Sequence, residues 1–177
     1  MKKRYVWLIV AVAVLLAVAV GVTFALLVAS SNVVENTFTV GDVSITLEET
    51  SGTDYKLAPG VELVKDPTIT VKAGSEICWL FVKVQKSSNF DNFCDFEMVN
   101  GWTALQGQNG VYYRKVEMSA VDQKFKVLKN DRVTVKEELT EEQLDAVGVN
   151  PTLKITAYAI QTDGMSTAND AWQILNQ

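Results

Sequence analysis

The sequence predicts an all-β protein, an antiparallel, jelly-roll-like β-sandwich with two short helices, preceded by an N-terminal signal or hydrophobic helix. About eight short segments alternate apolar and polar residues with the period of two that a half-buried strand shows. Clusters of Gly, Pro, Asn, Asp and Ser separate these segments, as turns require. The sequence shows no internal repeat, so we expect one domain after the N-terminal segment.

The N-terminal segment, residues 1–29, has the order of a secretory signal peptide. Three basic residues follow Met1, the stretch from Tyr5 to Ala29 carries no charge, and Ala29-Ser30-Ser31 supplies small residues. We expect cleavage between Ala29 and Asn32. The apolar stretch is also long enough to span a bilayer, so a retained anchor is the alternative. Under both hypotheses the later residues are exported and only this segment meets the membrane.

The charge of the chain excludes one class of partner. Removing residues 1–29 takes away three of the 16 basic residues and none of the 21 acidic ones, so the net charge falls from −5 to −8. Binding to nucleic acid requires a basic surface. We therefore expect no nucleic-acid partner and a soluble, exported acidic domain.

The first half of the exported part contains three predicted strands. The opening strand alternates at Phe38 and Val40 and again from Val43 to Leu47, and residues 49–60 form a loop. The second strand has Pro67 at its entrance, where a missing N–H is tolerated. A hairpin turn at 73–75 leads to the third strand. The residues that share one face of this strand are Cys78, Leu80, Val82 and Val84. Trp79 and Phe81 make its other face apolar too, so we expect cover on both faces.

The second half continues the pattern and adds the helices. Two weaker strands are expected near Phe96–Trp102 and Val111–Met118, with a hairpin signal at Asn109-Gly110. Further alternation predicts strands at 125–127 and 133–135, joined by a turn at 129–131, and a last strand at 153–159.

Two helix starts are marked by capping residues. Thr140 and Gln143 have the spacing of a capping box, and Ser166 or Thr167 caps the final helix. Trp172 and Leu175 of that helix are spaced to pack on the body.

The chain lacks the residues of most hydrolytic sites. It has no histidine, which removes His-based catalytic triads and the HExxH zinc site. Several carboxylates are candidates for paired catalysis but are expected to be solvated surface charges: Glu48, Glu49, Asp91, Asp95, Glu137 and Glu138. A calcium loop at residues 91–95 lacks the spacing of an EF-hand. We therefore predict no catalytic residue, no metal and no cofactor.

Cys78 and Cys94 are the only cysteines. A disulfide between them would close a short loop and stabilise the fold by about 3 kcal/mol. The alternative is that Cys78 is a small buried apolar residue and Cys94 is a free thiol in a loop.

Several stretches carry a resemblance to a known family: NTFTVGDVSITLEE (36–49), LAPGVELVKDPTITVKAGSE (57–76), LFVKV (80–84) and TAYAIQTDG followed by ANDAW (156–172). Together with the export segment they resemble the TasA/camelysin family, and within it the clostridial-type biofilm surface-layer members. The resemblance implies a jelly-roll fold, export through a dedicated signal peptidase of the SipW type, and fibres in a Gram-positive biofilm matrix.

The resemblance also implies donor-strand complementation, in which the mature N-terminal segment of one subunit completes the sheet of the next. Here the donor strand would be residues 30–40, followed by the sandwich domain at 41–177. It would begin at Ser30 and use Val34, Phe38 and Val40 to fill pockets. The aromatic-rich mature start of the better-known members is absent, which leaves the register open. The alternative is that this segment pairs within its own domain.

Three classes of function follow. The first is a secreted structural subunit of extracellular fibres or a surface layer, which is not an enzyme and has itself as partner. The second is a camelysin-type surface endopeptidase, although the missing histidine argues against it. The third is a monomeric adhesin or binding module, for which aromatic residues are the candidates: Phe90, Phe93, Trp102, Tyr112 and Tyr113.

Overall fold

The computed structural model describes residues 37–40, 42–51, 57–145 and 148–176. The predicted signal segment 1–29, the cleavage site, and Ser30 and Val34 of the candidate donor strand lie outside these residues. Within the described ranges, no helix has the length and apolar character needed to cross a membrane.

The described part of the chain is mostly β, as predicted. Its strands are β1 (Thr37–Val40), β2 (Ile45–Glu48), β3 (Glu62–Val64), β4 (Thr68–Val71), β5 (Cys78–Lys86), β6 (Cys94–Asp95), β7 (Thr103–Ala104), β8 (Val111–Val116), β9 (Gln123–Lys126), β10 (Arg132–Val135) and β11 (Leu153–Gln161). Its helices are α1 (Phe90–Phe93), α2 (Glu141–Asp145) and α3 (Ala168–Leu175).

A five-stranded sheet, in the order β1-β11-β5-β8-β7, forms the middle layer. The long strands β5 and β11 pair antiparallel along their whole length, from Cys78 opposite Gln161 to Lys86 opposite Leu153. β8 and β7 continue the antiparallel pairing on one side. On the other side β1 pairs with β11 in the parallel direction, which departs from the purely antiparallel sandwich that we expected.

The two three-stranded sheets, β2-β4-β9 and β3-β10-β6, are continuations of each other. β3 leads into β4 through residues 65–67, and β9 leads into β10 through residues 127–131. Two backbone hydrogen bonds join residues 65–67 to residues 127–131. The Lys65 N–H donates to the Asp131 carbonyl, and the Val127 N–H donates to the Pro67 carbonyl. The predicted turn at 129–131 is a 3₁₀ turn with Asn130 and Asp131 at φ of 56° and 55°, which offsets the two ladders.

The main core lies between the five-stranded sheet and these two smaller sheets. The face of β5 that alternation predicted is buried there, with Cys78, Leu80 and Val82 fully covered. Facing residues of the smaller sheets include Ile69, Val71 and Val135. Alternation therefore identified the buried face correctly, because successive side chains of a strand point to opposite sides of the sheet.

A second, smaller core covers the other face of the five-stranded sheet. Helix α3 packs there through Trp172, whose ring centroid lies 5.2 Å from that of Phe81 in β5. The prediction that β5 is covered on both faces is confirmed. Thr167 caps α3 by accepting a hydrogen bond from the Asp170 N–H, and the capping box of Thr140 and Gln143 is present at α2.

Several strand predictions were wrong in detail. The opening segment is two strands, β1 and β2, which lie in different sheets. The turn at 73–75 does not make a hairpin, because β4 and β5 also belong to different sheets. The stretch Phe96–Trp102 contains only an isolated bridge, at Met98. Helix α1 and strand β3 were missed, since neither has more than four residues over which a period could be recognised.

The hairpin signal at Asn109-Gly110 marks a longer connection than a two-residue turn. β7 and β8 pair antiparallel, and residues 105–110 connect them. Gly110 has a φ of 71°, and a Cβ atom there would lie 2.4 Å from the Val84 carbonyl oxygen. Glycine is required at this position because the backbone of β5 approaches so closely.

Candidate functional site at the edge of the five-stranded sheet

The edge strand β1 is the structural feature that bears most directly on function. Its register places Thr37 opposite Ala157, Phe38 opposite Tyr158, Thr39 opposite Ala159 and Val40 opposite Ile160. β11 has 9 residues and pairs with β5 along its whole length. The 4 residues of β1 pair only with the second half of β11, on the side away from β5. Residues 153–156 have no ladder partner on that side within the described part of the chain.

The residues of β11 beside β1 belong to the interior of the protein. Ala157 and Ala159 are fully buried in the main core, and Ile160 is buried in the second core. Tyr158 packs edge-on against Trp172 of α3, with ring centroids 5.2 Å apart, and burial raises the pKa of its hydroxyl. The strand at this edge therefore borders both cores, and losing it would uncover backbone next to buried side chains.

The chain immediately after β1 is fixed to the turn between β4 and β5. The Glu76 N–H donates to the Asp42 carbonyl at 3.1 Å, and the Lys72 N–H donates to the Ser44 carbonyl at 2.9 Å. The Ser44 N–H donates to the Ser75 hydroxyl, which is buried. Only Gly41 separates Val40 from the first of these anchored residues.

Phe38 and Val40, the two described members of the candidate donor strand, both lie in β1. In this single chain they pair with the chain's own β11, which is the arrangement given above as the alternative to donation. Ser30 and Val34 lie outside the described residues.

Both cysteines are free thiols and both are buried. Cys78 lies in β5 and Cys94 in β6, and they contribute to the main core. Burial raises the pKa of each thiol to about 11, and at Cys94 the nearby charge of Asp95 adds to the effect. The alternative that placed Cys94 in a loop was wrong, because Cys94 lies in β6, which pairs with β10, and it is buried in the main core.

The aromatic residues considered for an adhesive surface pack on the two cores instead. Phe90 is buried, and Phe93, Trp102 and Tyr112 pack against the main core while Tyr113 packs against the second core. Their placement supports a packing role for these five residues.

Arg114 occupies an unusual position at the rim of the main core. Its guanidinium carbon lies 4.3 Å from the ring centroid of Phe125 and 5.4 Å from that of Trp102. Burial lowers its pKa, and its Nε atom has no hydrogen-bond partner within the described residues. Cation–π contacts with these two rings therefore stabilise the charge of Arg114.

A polar cluster that the sequence did not predict ties the end of β2 to the junction of β3 and β4. Lys65 and Glu49 form an ion pair at 2.8 Å, and each side chain is 7% exposed. Asp66 accepts hydrogen bonds from Thr50 and Ser51. Burial opposes ionisation of Asp66, but these hydrogen bonds outweigh it and hold its pKa well below the usual range. No local pattern could indicate this pairing, because 16 positions separate Glu49 from Lys65.

The carboxylates considered for catalysis do not form an acid–base pair among the described residues. Glu49 is bound by Lys65, Asp91 pairs with Lys86 at 2.7 Å, and Asp95 lies 3.9 Å from Lys136. Within the described ranges, no three acidic or cysteine side chains are grouped as metal ligands would be. A shallow pocket of about 240 Å³ on the outer face of β10 is lined by charged residues, among which Lys129 pairs with Glu97 and Arg132 pairs with Glu62.

The described residues thus define a mostly β protein whose five-stranded sheet ends in a short parallel strand from its N-terminal side. No family model, curated protein or solved structure matches the chain.

Proposed function

We propose that this protein is a secreted structural subunit of extracellular fibres or of a surface layer, built on a jelly-roll-like sandwich. It would be exported through its N-terminal segment, released by a signal peptidase of the SipW type, and assembled with copies of itself. The observation that supports this proposal is the position of β1, which borders both cores at a sheet edge and begins soon after the predicted cleavage site.

The physical basis is strand addition at a sheet edge. Backbone hydrogen bonds provide affinity, and alternate side chains provide specificity. A strand supplied by the N-terminal segment of a neighbouring copy would cover the backbone of β11 just as a strand of the same chain does. Two of the other edge strands are poor templates: β7 has 2 residues, and β9 carries exposed lysines at 124 and 126.

Two observations favour a structural role over the peptidase alternative. Three of the six candidate carboxylates, Glu49, Asp91 and Asp95, are engaged in ion pairs, and the chain has no histidine to act as a base or as a metal ligand. The candidate aromatic residues pack on the two cores, with Phe90 buried and the other four partly buried, which likewise favours a structural role over the adhesin alternative.

Electron microscopy of the purified mature chain, residues 30–177, tests the proposal. We expect filaments from this protein and soluble monomers from a chain that lacks residues 30–40. A synthetic peptide of residues 30–40, added in excess, is expected to suppress filament growth by occupying the sheet edge, and a scrambled peptide is the control. Filaments of unchanged morphology from the truncated chain would show that residues 30–40 are not the link.

A further inference from the structure

Two Asn-Gly pairs lie in turns on the surface of the protein. Asn100-Gly101 precedes β7, and Asn109-Gly110 precedes β8. Both asparagines are exposed, and both glycines have a positive φ, 96° at Gly101 and 71° at Gly110. Within the described residues, neither asparagine side chain makes a hydrogen bond and neither glycine N–H donates one. The two pairs therefore share the same local chemistry.

An asparagine followed by glycine allows a reaction that needs no enzyme. The glycine nitrogen attacks the carbonyl carbon of the asparagine side chain, and the side-chain amide leaves as ammonia, taking up the proton of the glycine N–H. Water then opens the cyclic imide at either carbonyl and gives aspartate or isoaspartate. Glycine permits the attack because it has no Cβ atom to obstruct the approach. Asparagine is accordingly one of the labile residues that thermophilic proteins contain less often.

The turn at Asn109-Gly110 is held against the long strand β5. The Val84 N–H donates to the Gly110 carbonyl at 2.7 Å, and the Val111 N–H closes the turn on the Gln108 carbonyl. A Cβ atom at Gly110 would lie 2.4 Å from the Val84 carbonyl oxygen, so the backbone of β5 packs directly against this glycine. The attack requires the peptide group between residues 109 and 110 to rotate, and these contacts oppose that rotation.

The turn at Asn100-Gly101 is held only on either side of the pair. The Val99 N–H and the Trp102 indole N–H each donate to a backbone carbonyl in residues 126–127. Gly101 itself makes no backbone hydrogen bond to the part of the chain that the structure describes. The nearest heavy atoms to a Cβ atom at Gly101 would belong to a side chain rather than to backbone. The peptide group between residues 100 and 101 is therefore freer to rotate than its counterpart at 109 and 110.

That neighbouring side chain is Arg114, a cation without a carboxylate partner. Its Nη2 atom would lie 3.2 Å from a Cβ atom at Gly101. Among the described residues, Arg114 forms neither an ion pair nor a hydrogen bond. Since consecutive Cα atoms are about 3.8 Å apart, a carboxylate at residue 100 lies within roughly 10 Å of the guanidinium, about one Debye length at moderate salt. Deamidation at residue 100 thus places a negative charge beside an unpaired positive one.

We propose that Asn100-Gly101 is a modification site, at which Asn100 deamidates spontaneously in the folded protein and Arg114 stabilises the carboxylate that forms. The fold slows the same reaction at Asn109-Gly110. Conversion adds a negative charge to the surface, and the isoaspartate product also lengthens the backbone by a carbon atom. The reaction consumes only water, so it proceeds whether or not the protein assembles into fibres and does not depend on the proposed function.

Incubation of the folded mature protein in heavy-oxygen water, followed by digestion in ordinary water, tests the difference between the two turns. Solvent oxygen enters the new carboxylate, so peptide mapping by mass spectrometry counts only the conversion that precedes digestion. We expect label to accumulate at residue 100 at least several-fold faster than at residue 109. Asn100→Gln should abolish the label at that position, because the longer side chain cyclises slowly.

Protein unfolded in urea is the matched control for the effect of the fold. Both asparagines precede glycine, so we expect comparable rates at the two positions in the unfolded chain. Absence of label at residue 100 of the folded protein, or equal labelling of both residues there, would overturn the proposal. The same ratio of rates in folded and unfolded protein would also overturn it, since the difference would then come from the local sequence.

A comparison of two aspartate variants tests the role of Arg114. Asn100→Asp reproduces one product, and Asn109→Asp adds the same charge at the other turn. We expect the urea midpoint of unfolding to be higher for Asn100→Asp, and we expect Arg114→Gln or high salt to remove the difference. The salt series leaves Arg114 in place, so it decides the question if Arg114→Gln does not fold. Equal midpoints at low salt would show that Arg114 does not stabilise the carboxylate.

Discussion

The ammonium group of Lys65 lies 2.8 Å from a carboxylate oxygen of Glu49, and both side chains are 7% exposed. Removing one partner from a buried ion pair leaves the other charge uncompensated, which costs about 3–5 kcal/mol. We therefore expect Glu49→Gln or Lys65→Met to lower the free energy of unfolding by about that amount in urea titrations.

The double variant Glu49→Leu/Lys65→Met is expected to recover much of this loss, because no charge is then left buried. Lys72→Met is the matched control: it removes a pair with Asp122 whose side chains are 41% and 44% exposed. Exposed pairs contribute about 0–1 kcal/mol. If Lys65→Met lowers the free energy of unfolding by no more than Lys72→Met does, the buried pair does not stabilise the fold.

Asp66 is expected to make the stability of the protein depend on pH in the acid range. Its folded-state pKa is held below the ordinary 3.8 by hydrogen bonds from Thr50 and Ser51. A carboxyl with a depressed pKa stabilises the fold above its unfolded pKa and loses that contribution as the pH falls towards the folded value. The difference in unfolding free energy between wild type and Asp66→Asn should therefore shrink between pH 6 and pH 3. A difference that stays constant over this range would argue against the depressed pKa.

The two cysteines are expected to resist alkylation in the folded protein. Burial raises both pKa values to about 11, so little thiolate is present at pH 8, and the side chains are enclosed in the main core. Mass spectrometry should show that iodoacetamide labels both cysteines only in denatured protein. No reductant should be needed for this labelling, because both thiols are free. A mass two daltons lower in the secreted protein, with no labelling after denaturation, would instead reveal a disulfide (about one dalton per hydrogen lost).

Cys94→Ser is expected to destabilise the protein, because it places a hydroxyl in a position that is 2% exposed. An unsatisfied buried hydroxyl costs about 1–3 kcal/mol in proteins. Cys94→Ala is the control that removes the sulfur without adding a polar group. Equal stability of the serine variant and wild type in urea would show that the site accommodates a hydrogen-bonding group.

The N-terminal segment is expected to be absent from the secreted protein. The apolar stretch ends in the small residues Ala29-Ser30-Ser31, which are typical of a signal-peptidase site. N-terminal sequencing should begin at Ser30, Ser31 or Asn32. Recovery of Met1 on protein at the cell surface would support the retained anchor.

Phe38→Asp is expected to abolish filaments. Phe38 is the register partner of Tyr158, which packs on Trp172, and an aspartate at position 38 adds a charge to the strand at this edge. Val121→Asp, on a loop where Val121 is 68% exposed, is the control for the added charge. If β1 stays in its own chain, the loss of filaments should be accompanied by a lower unfolding free energy of the monomer. Donation of β1 itself would predict lost filaments with an unchanged monomer.

The sequence by itself was enough for the features that depend on neighbours along the chain. Alternation in β5 and β11 identified which side chains are buried, because the period of a strand is fixed by its backbone. The caps at Thr140 and Thr167 were also predictable, since a helix start is satisfied by residues only three positions away. The apolar N-terminal stretch and the missing histidine also limited the classes of function, because both can be read from the sequence without knowing how the chain folds.

Only the tertiary structure decided how these strands are paired. The opening segment looked like one strand, but β1 and β2 diverge into two sheets after Val40, and β4 and β5 separate in the same way. The burial of Cys94 and the ion pair of Glu49 with Lys65 depend on partners far along the chain. Alternation records which face of a strand is buried but not which strand lies beside it. That choice is made by long-range packing, where many pairings satisfy the same pattern and differ only in how well they close the core.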